Sequence, residues 1–268
     1  GYIGSKLGAP YAEPFTFLAL RFVAVVAILV AVTLALGHKW SDRRSALHAM
    51  VVGVLVHGGY LGGVFWAIHR GMPAGISALI VGLQPIATAI IAGRVLGEPV
   101  TRRHWLGLGI GLVGIGLVVA PKLGIAGEGI NGPTIAAVLA AMFSMTLGTI
   151  YQKRFATGAP FLSGIVWQYV GAFGFVGLAA LLSESFAVVW SGEFVFALAW
   201  LVLVLSIGAI SLLMLMIRKG AVSRVAALLY LVPAVTSLIA FFLFGETLTA
   251  VQLAGMALTV LAVALAGR

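Results

Sequence analysis

The feature that most constrains this chain is a segment that occurs twice. Ala74 to Thr101 reads AGISALIVGLQPIATAIIAGRVLGEPVT, and a shift of 148 positions lays it without a gap on Val222 to Thr249, VSRVAALLYLVPAVTSLIAFFLFGETLT. Leu83 then falls on Leu231, Pro85 on Pro233, Thr88 on Thr236, Gly97-Glu98 on Gly245-Glu246 and Thr101 on Thr249. Each copy is an apolar run of about 23 residues, long enough for one helix to cross a bilayer. Each has a proline near its middle, which removes a backbone hydrogen bond and frees the carbonyl one turn earlier, at Val81 and Leu229. In hydrocarbon a freed carbonyl is tolerated only where protein or a water-filled cavity satisfies it. Interrupted helices at corresponding places in two halves point to the binding site of a carrier.

The composition agrees with a polytopic membrane protein. The chain is 62% hydrophobic and only 9% charged, where soluble domains carry about 25% charged residues. Its formal charge of +9 comes from basic residues in short loops between apolar runs, where they set topology; a nucleic-acid partner is not expected. Without cysteine there is no disulfide, thiolate metal site, iron–sulfur cluster or thiol catalysis. No cofactor or metal is expected.

The duplication extends outward. Pro14-Phe15 and Pro160-Phe161 each open a span, and Gly1 to Lys6 matches Gly148 to Lys153 at glycine, isoleucine and lysine. The second copy has a full apolar run ahead of Gly148, so the first span is expected to be truncated at Gly1. The sequence predicts an all-α fold of ten transmembrane helices. These are a stub ending near residue 7, then 15–36, 46–68, 74–96 and 105–120, then 134–151, 161–182, 194–217, 222–244 and 251–266. Residues 1–121 form the first repeat, 122–133 a polar linker and 134–268 the second repeat. With both termini in the cytoplasm, inner loops hold twelve lysines and arginines and outer loops hold three, a positive-inside bias. Five spans is an odd number, so the two repeats are expected to be inverted across the membrane.

The residues FTFLALRF around Arg21, the prolines Pro85 and Pro233, and the duplicated GE-x-x-T at Gly97-Glu98 and Gly245-Glu246 resemble the drug/metabolite transporter superfamily with two EamA-type repeats. Within it, the chain looks most like bacterial amino-acid exporters of the YddG type. The resemblance implies a secondary transporter in the bacterial inner membrane that exports small metabolites, amino acids including aromatic ones among them, by alternating access at a central cavity between inverted repeats. A carrier of nucleotide sugars or drugs on the same fold is the alternative. An integral-membrane enzyme is disfavoured, because the seven acidic residues are scattered at loops and none lies at a span centre.

Several side chains are candidates for the cavity. His57 and Tyr60 stand three residues apart mid-span among four glycines, a spacing that puts them on one face of an α-helix. Ser77 and Gln84 precede Pro85, and Tyr230 precedes Pro233. With Met145, Trp167, Gln168 and Ser206 these residues would make a mostly apolar lining with scattered polar groups, suited to small amphiphiles. Arg21 lies about two turns inside a span and is read either as partner of a substrate carboxylate or as a helix-packing arginine. Glu98 and Glu246 are read as helix-end structure or as gate latches, and Thr249 with Gln252 as a capping box. Gly107-x-x-x-Gly111 is a close-packing face that leaves a monomer and a homodimer both open. Lipid and a small-molecule substrate are the expected partners.

The topology is directly testable. Single cysteines placed near Arg43, Arg102, Lys153 and Lys219 should react with an impermeant maleimide only from the cytoplasm, and those near Gly71 and Ser191 only from outside. Labelling at Lys153 from outside would break the inversion.

Overall fold

The structure is a computed structural model that describes residues 8, 10–72, 74–119, 129–232, 234, 235, 238, 242 and 249–266. The stub before Leu7, Pro233 and Glu246 lie outside the described residues. Those described are helical, and the one β contact among them is an isolated antiparallel bridge between Ala12 and Val188.

The helices in order are α1 (Pro14–Ala35), α2 (Arg43–His69), α3 (Ala74–Val81), α4 (Gln84–Val95), α5 (Arg102–Val119), α6 (Gly132–Ala156), α7 (Phe161–Ser183), α8 (Gly192–Lys219), α9 (Val222–Ala227) and α10 (Ala250–Ala266). Helices α1, α2, α6, α7 and α8 are long and apolar enough to cross a membrane. Their starts follow ordinary capping chemistry. Pro14 opens α1, where its missing N–H is no loss. Asp42 accepts from the amides of Arg44 and Ser45 at the head of α2. Hydrogen bonds from Ser45 and Arg44 hold the Asp42 carboxyl below the usual carboxylate range. Ser191 caps α8 through the Phe194 amide, and Thr249 and Gln252 form the expected capping box on α10.

The chain forms two compact units, and neither is one sequence repeat. The first is Gly1–Trp66 with Leu147–Lys219, and the second is Ala67–Thr146 with Gly220–Arg268. In the first unit α1 packs along α7, burying Leu18, Phe22, Val25 and Leu29 against Ile165, Tyr169, Ala172 and Val176. Glycine permits the close approaches. A Cβ at Gly53 would lie inside the backbone of Gln168, and one at Gly171 would lie 2.5 Å from the carbonyl oxygen of Met50.

In the second unit α5 and α10 pair along their length around Leu108, Ile115, Ala262 and Ala266, and His104 Nδ1 lies 3.1 Å from the Ala266 carbonyl oxygen. The glycine face of α5 is therefore used within the chain. Gly107 faces the Ala262 carbonyl, Gly111 faces the ring of Tyr230, and Gly114 opposes Gly255.

Three stretches of the described residues are π-helical. The middle of α2 is π-helical over Val54–Gly59, the end of α6 over Gln152–Ala156 and the middle of α8 over Leu201–Ala209. The shift of 148 carries residues 54–59 onto 202–207, so α2 and α8 widen at corresponding places. This alters the expected relation of His57 and Tyr60. Three-residue spacing puts side chains on one face of an α-helix, but a π-turn bonds five residues apart and rotates them away from each other. His57 is buried, whereas Tyr60, where the α-helix resumes, is half-buried.

The expected fourth span is two helices. α3 ends at Val81 and α4 starts at Gln84, with Pro85 buried in its first turn. The proline therefore breaks the span rather than bending it. The corresponding place in the second copy, Leu228–Tyr230, tightens to a 3-10 turn after α9.

A methyl on the α5–α10 contact should act through overpacking. In Gly114→Ala the new Cβ would stand 2.9 Å from the Gly255 carbonyl oxygen, while Gly109→Ala and Gly116→Ala meet open space. Thermal unfolding in detergent should show Gly114→Ala destabilised by about 1–3 kcal/mol and both controls near the parent.

Candidate functional site

The first unit buries a polar group of residues drawn from both sequence halves. Arg21 of α1 is only 2% exposed. Its Nε donates to Ser206 Oγ at 2.8 Å, and among the described residues it makes no ion pair. A buried guanidinium without a carboxylate is costly and persists only where hydrogen bonds or an incoming anion compensate it. Ser206 belongs to the π-helical part of α8, and its carbonyl oxygen accepts from Tyr169 Oη at 3.2 Å. The Tyr169 ring stacks on His57, with centroids 4.6 Å apart and planes 3° from parallel. Phe22 closes the cluster, 5.5 Å from Tyr169 and 6.3 Å from His57, with the Arg21 guanidinium 5.9 Å from its own ring. Gln168 Nε2 donates to Gln152 Oε1 at 3.0 Å.

Among the described residues three buried polar atoms of this unit have no hydrogen-bond partner: His57 Nε2, Gln168 Oε1 and Trp167 Nε1. Leaving such a group unmade costs about 1–3 kcal/mol each. The π-turns that carry His57 and Ser206 fit a candidate site, because single π-bulges inside α-helices occur frequently at functional sites.

The second unit holds the remaining candidates. Among the described residues, buried Ser77 of α3 has no partner for its Oγ, and Gln84 donates through Nε2 to Thr88 Oγ1 at 2.9 Å while its Oε1 has none. Tyr230 is buried, donating to the Leu108 carbonyl at 3.2 Å. Met145 is buried on α6. His57, Trp167, Gln168, Ser206 and Arg21 thus gather in one unit, and Ser77, Gln84 and Tyr230 lie in the other. Tyr169, Gln152 and Thr88 join these groups without having been singled out by the sequence. Tyr169 carries a visible signal, a phenol mid-span beside Gln168.

The acidic residues act on helix ends. α4 closes at Leu96, and Gly97 turns left-handed at φ +66°, as a helix C-terminus often requires. That turn carries Glu98 onto the start of α9, where its carboxylate accepts from the amides of Val222 and Ser223 and from Ser223 Oγ. At the start of α1, the Glu184 carboxylate accepts from the amides of Phe15 and Thr16 at 2.7 and 2.6 Å and from Thr16 Oγ1 at 2.7 Å. Glu13 answers by accepting from the Ser185 amide and hydroxyl. Glu98 and Glu184 thus each cap a helix of the opposite repeat, while Glu13 holds the connection that follows α7.

Long apolar helices broken at matching places, with buried polar groups supplied by both halves, define an integral membrane protein of the carrier class. The EamA-like transporter family matches residues 1–120 and 132–268, and the chain belongs to that family, with two EamA repeats within the drug/metabolite transporter superfamily. It is 27% identical over 266 residues to the uncharacterized inner membrane transporter YedA of Escherichia coli K12, covering 98% of this chain and 85% of that protein. It is 28% identical over 274 residues to a probable amino-acid metabolite efflux pump of Salmonella typhimurium, covering 96% and 86%. A solved crystal structure shares the fold with a TM-score of 0.82 at 21% identity, covering 99% of this chain and 91% of that one.

Ser206 is the point at which this cluster can be probed. Ser206→Ala deletes the hydroxyl that receives Arg21 but keeps the carbonyl that receives Tyr169. Thermal melting should show a loss of about 1–3 kcal/mol, larger than for Tyr169→Phe, which removes a neutral hydrogen bond only. Equal losses would mean that Arg21 finds another partner at no cost.

Proposed function

We propose that the chain is a secondary transporter of two inverted five-helix repeats, with both termini cytoplasmic, that exports small metabolites across a bacterial inner membrane. Amino acids are the substrate class, aromatic ones included. The observation that carries this reading is the buried Arg21, which makes no ion pair among the described residues and stands in a cluster with unpartnered acceptor capacity. A zwitterion supplies both complements. Its carboxylate meets the guanidinium, and its ammonium donates to Gln168 Oε1 and to His57 Nε2 in the tautomer that accepts there. The name of the Salmonella relative, a probable amino-acid metabolite efflux pump, supports the same class.

In this reading the cluster is exposed alternately to the two faces of the membrane, and the widened turns of α2 and α8 are where the helices give way. Glu98 and Glu246 act at helix ends as latches of that motion. Pro85 and its sequence counterpart Pro233 are the helix breaks of this reading, and the further candidate substrate contacts are Tyr60 and Trp167 in the first unit and Ser77, Gln84, Met145 and Tyr230 in the second.

Counterflow in proteoliposomes tests the proposal. The panel comprises amino acids, the amines that lack their carboxylate, and nucleotide sugars. The parent should exchange amino acids at least about tenfold faster than the matching amines, in line with the roughly 1.4 kcal/mol or more carried by a hydrogen-bonded ion pair. Gln168→Leu should raise the half-saturating amino-acid concentration. Exchange of nucleotide sugars without amino-acid transport would sink the reading and favour the other carrier class.

A further inference from the structure

The repeats carry opposite charge at one pair of matching helix starts. The shift of 146 that lays Pro14-Phe15 on Pro160-Phe161 also lays Glu13 on Ala159, His38 on Glu184 and Lys39 on Ser185. In one copy the amides that open α1 are met by a carboxylate, Glu184. In the other copy the matching place, at the start of α7, has a histidine and a lysine. Pro160 is the N-cap of that helix, and among the described residues no side-chain acceptor meets its first amides.

The space is a pocket of about 480 Å³ lined by His38, Lys39, Pro160, Phe161 and Leu162. Arg218 adds a second permanent cation beside it. Its guanidinium sits 5.1 Å from the centroid of the Phe161 ring, and Nη2 donates to the Ala159 carbonyl at 2.7 Å. Ser41 and Ser163 hydroxyls, 2.8 Å apart, fix the 36–42 connection against α7. The lining therefore combines lysine, histidine and the positive end of a 23-residue helix, with no carboxylate. Its floor is apolar, and exposed Leu36 and Trp40 flank the basic pair in sequence. An apolar floor under a basic rim at the end of membrane-crossing helices matches one ligand better than a soluble anion: a phosphate that carries acyl chains.

We propose that this pocket binds an anionic glycerophospholipid. Its phosphate lies between Lys39, His38 and the first turn of α7, and an acyl chain lies along Phe161, Leu162 and Leu36. The lipid phosphate stands where Glu184 stands in the other repeat, so one helix start is capped from within and the other by the membrane. The pocket is independent of the transport reading; only its assignment to the cytoplasmic leaflet rests on the orientation proposed above.

Native mass spectrometry of the purified full chain, released from detergent with phosphatidylglycerol or phosphatidylcholine, tests this. The parent should retain phosphatidylglycerol about fivefold or more over phosphatidylcholine, the selectivity one basic contact supplies. His38→Glu installs the acid that the other repeat uses. It should abolish the preference while melting at or above the parent's temperature without lipid. Lys39→Ala should lower the preference about fivefold and serves alone if His38→Glu does not fold. Equal retention of both lipids by the parent, or an undiminished preference in the variants, overturns the proposal. Displacement of phosphatidylglycerol by millimolar inorganic phosphate also overturns it, in favour of a soluble anion.

Discussion

Backbone amides and carbonyls that lose their helical partners cannot be left to hydrocarbon, and the organisation of this chain follows from how each is satisfied. Where helices begin, side-chain oxygens arrive from distant sequence: Glu184 at α1 and Glu98 at α9. Where helices widen, a phenol arrives, Tyr169 on the carbonyl of Ser206. At the helix starts the acceptors come from the opposite repeat, whereas Tyr169 and Ser206 both belong to the second. The compact units likewise contain pieces of both halves rather than the halves themselves.

Arg21 shows how such a constraint is carried into the chemistry. A lone cation among Phe22, Tyr169 and the apolar flank of α1 would be unstable without oriented oxygen. Ser206 supplies it from the π-turn of α8. The same contact holds α1 to α8 and orients the guanidinium, so a packing role for Arg21 is compatible with the proposed recognition of a carboxylate.

Much of the helical order was legible in the sequence because hydrocarbon imposes a length and a polarity on every span. The capping box at Thr249 and Gln252 was legible because its chemistry is local, and the break before Pro85 because proline removes a donor wherever it stands. The π-turns were not, since residues 54–59 and 201–209 read as uninterrupted apolar helix. The cap by Glu184 and the loop contact by Glu13 span more than 160 positions, and nothing in the spacing of the acids announces them. The polar cluster was legible in part: Arg21, His57, Gln168 and Ser206 stood out as polar residues in spans, while Tyr169 was not singled out.

The widened turns carry a record of descent. A π-turn is an α-helix with one residue too many, and its simplest origin is a single-codon insertion. α2 and α8 hold theirs at corresponding positions in the two repeats. Two separate insertions at matching sites are a less economical history than one made before the gene doubled. The extra residue is then older than the duplication, and the single-copy ancestor already possessed it.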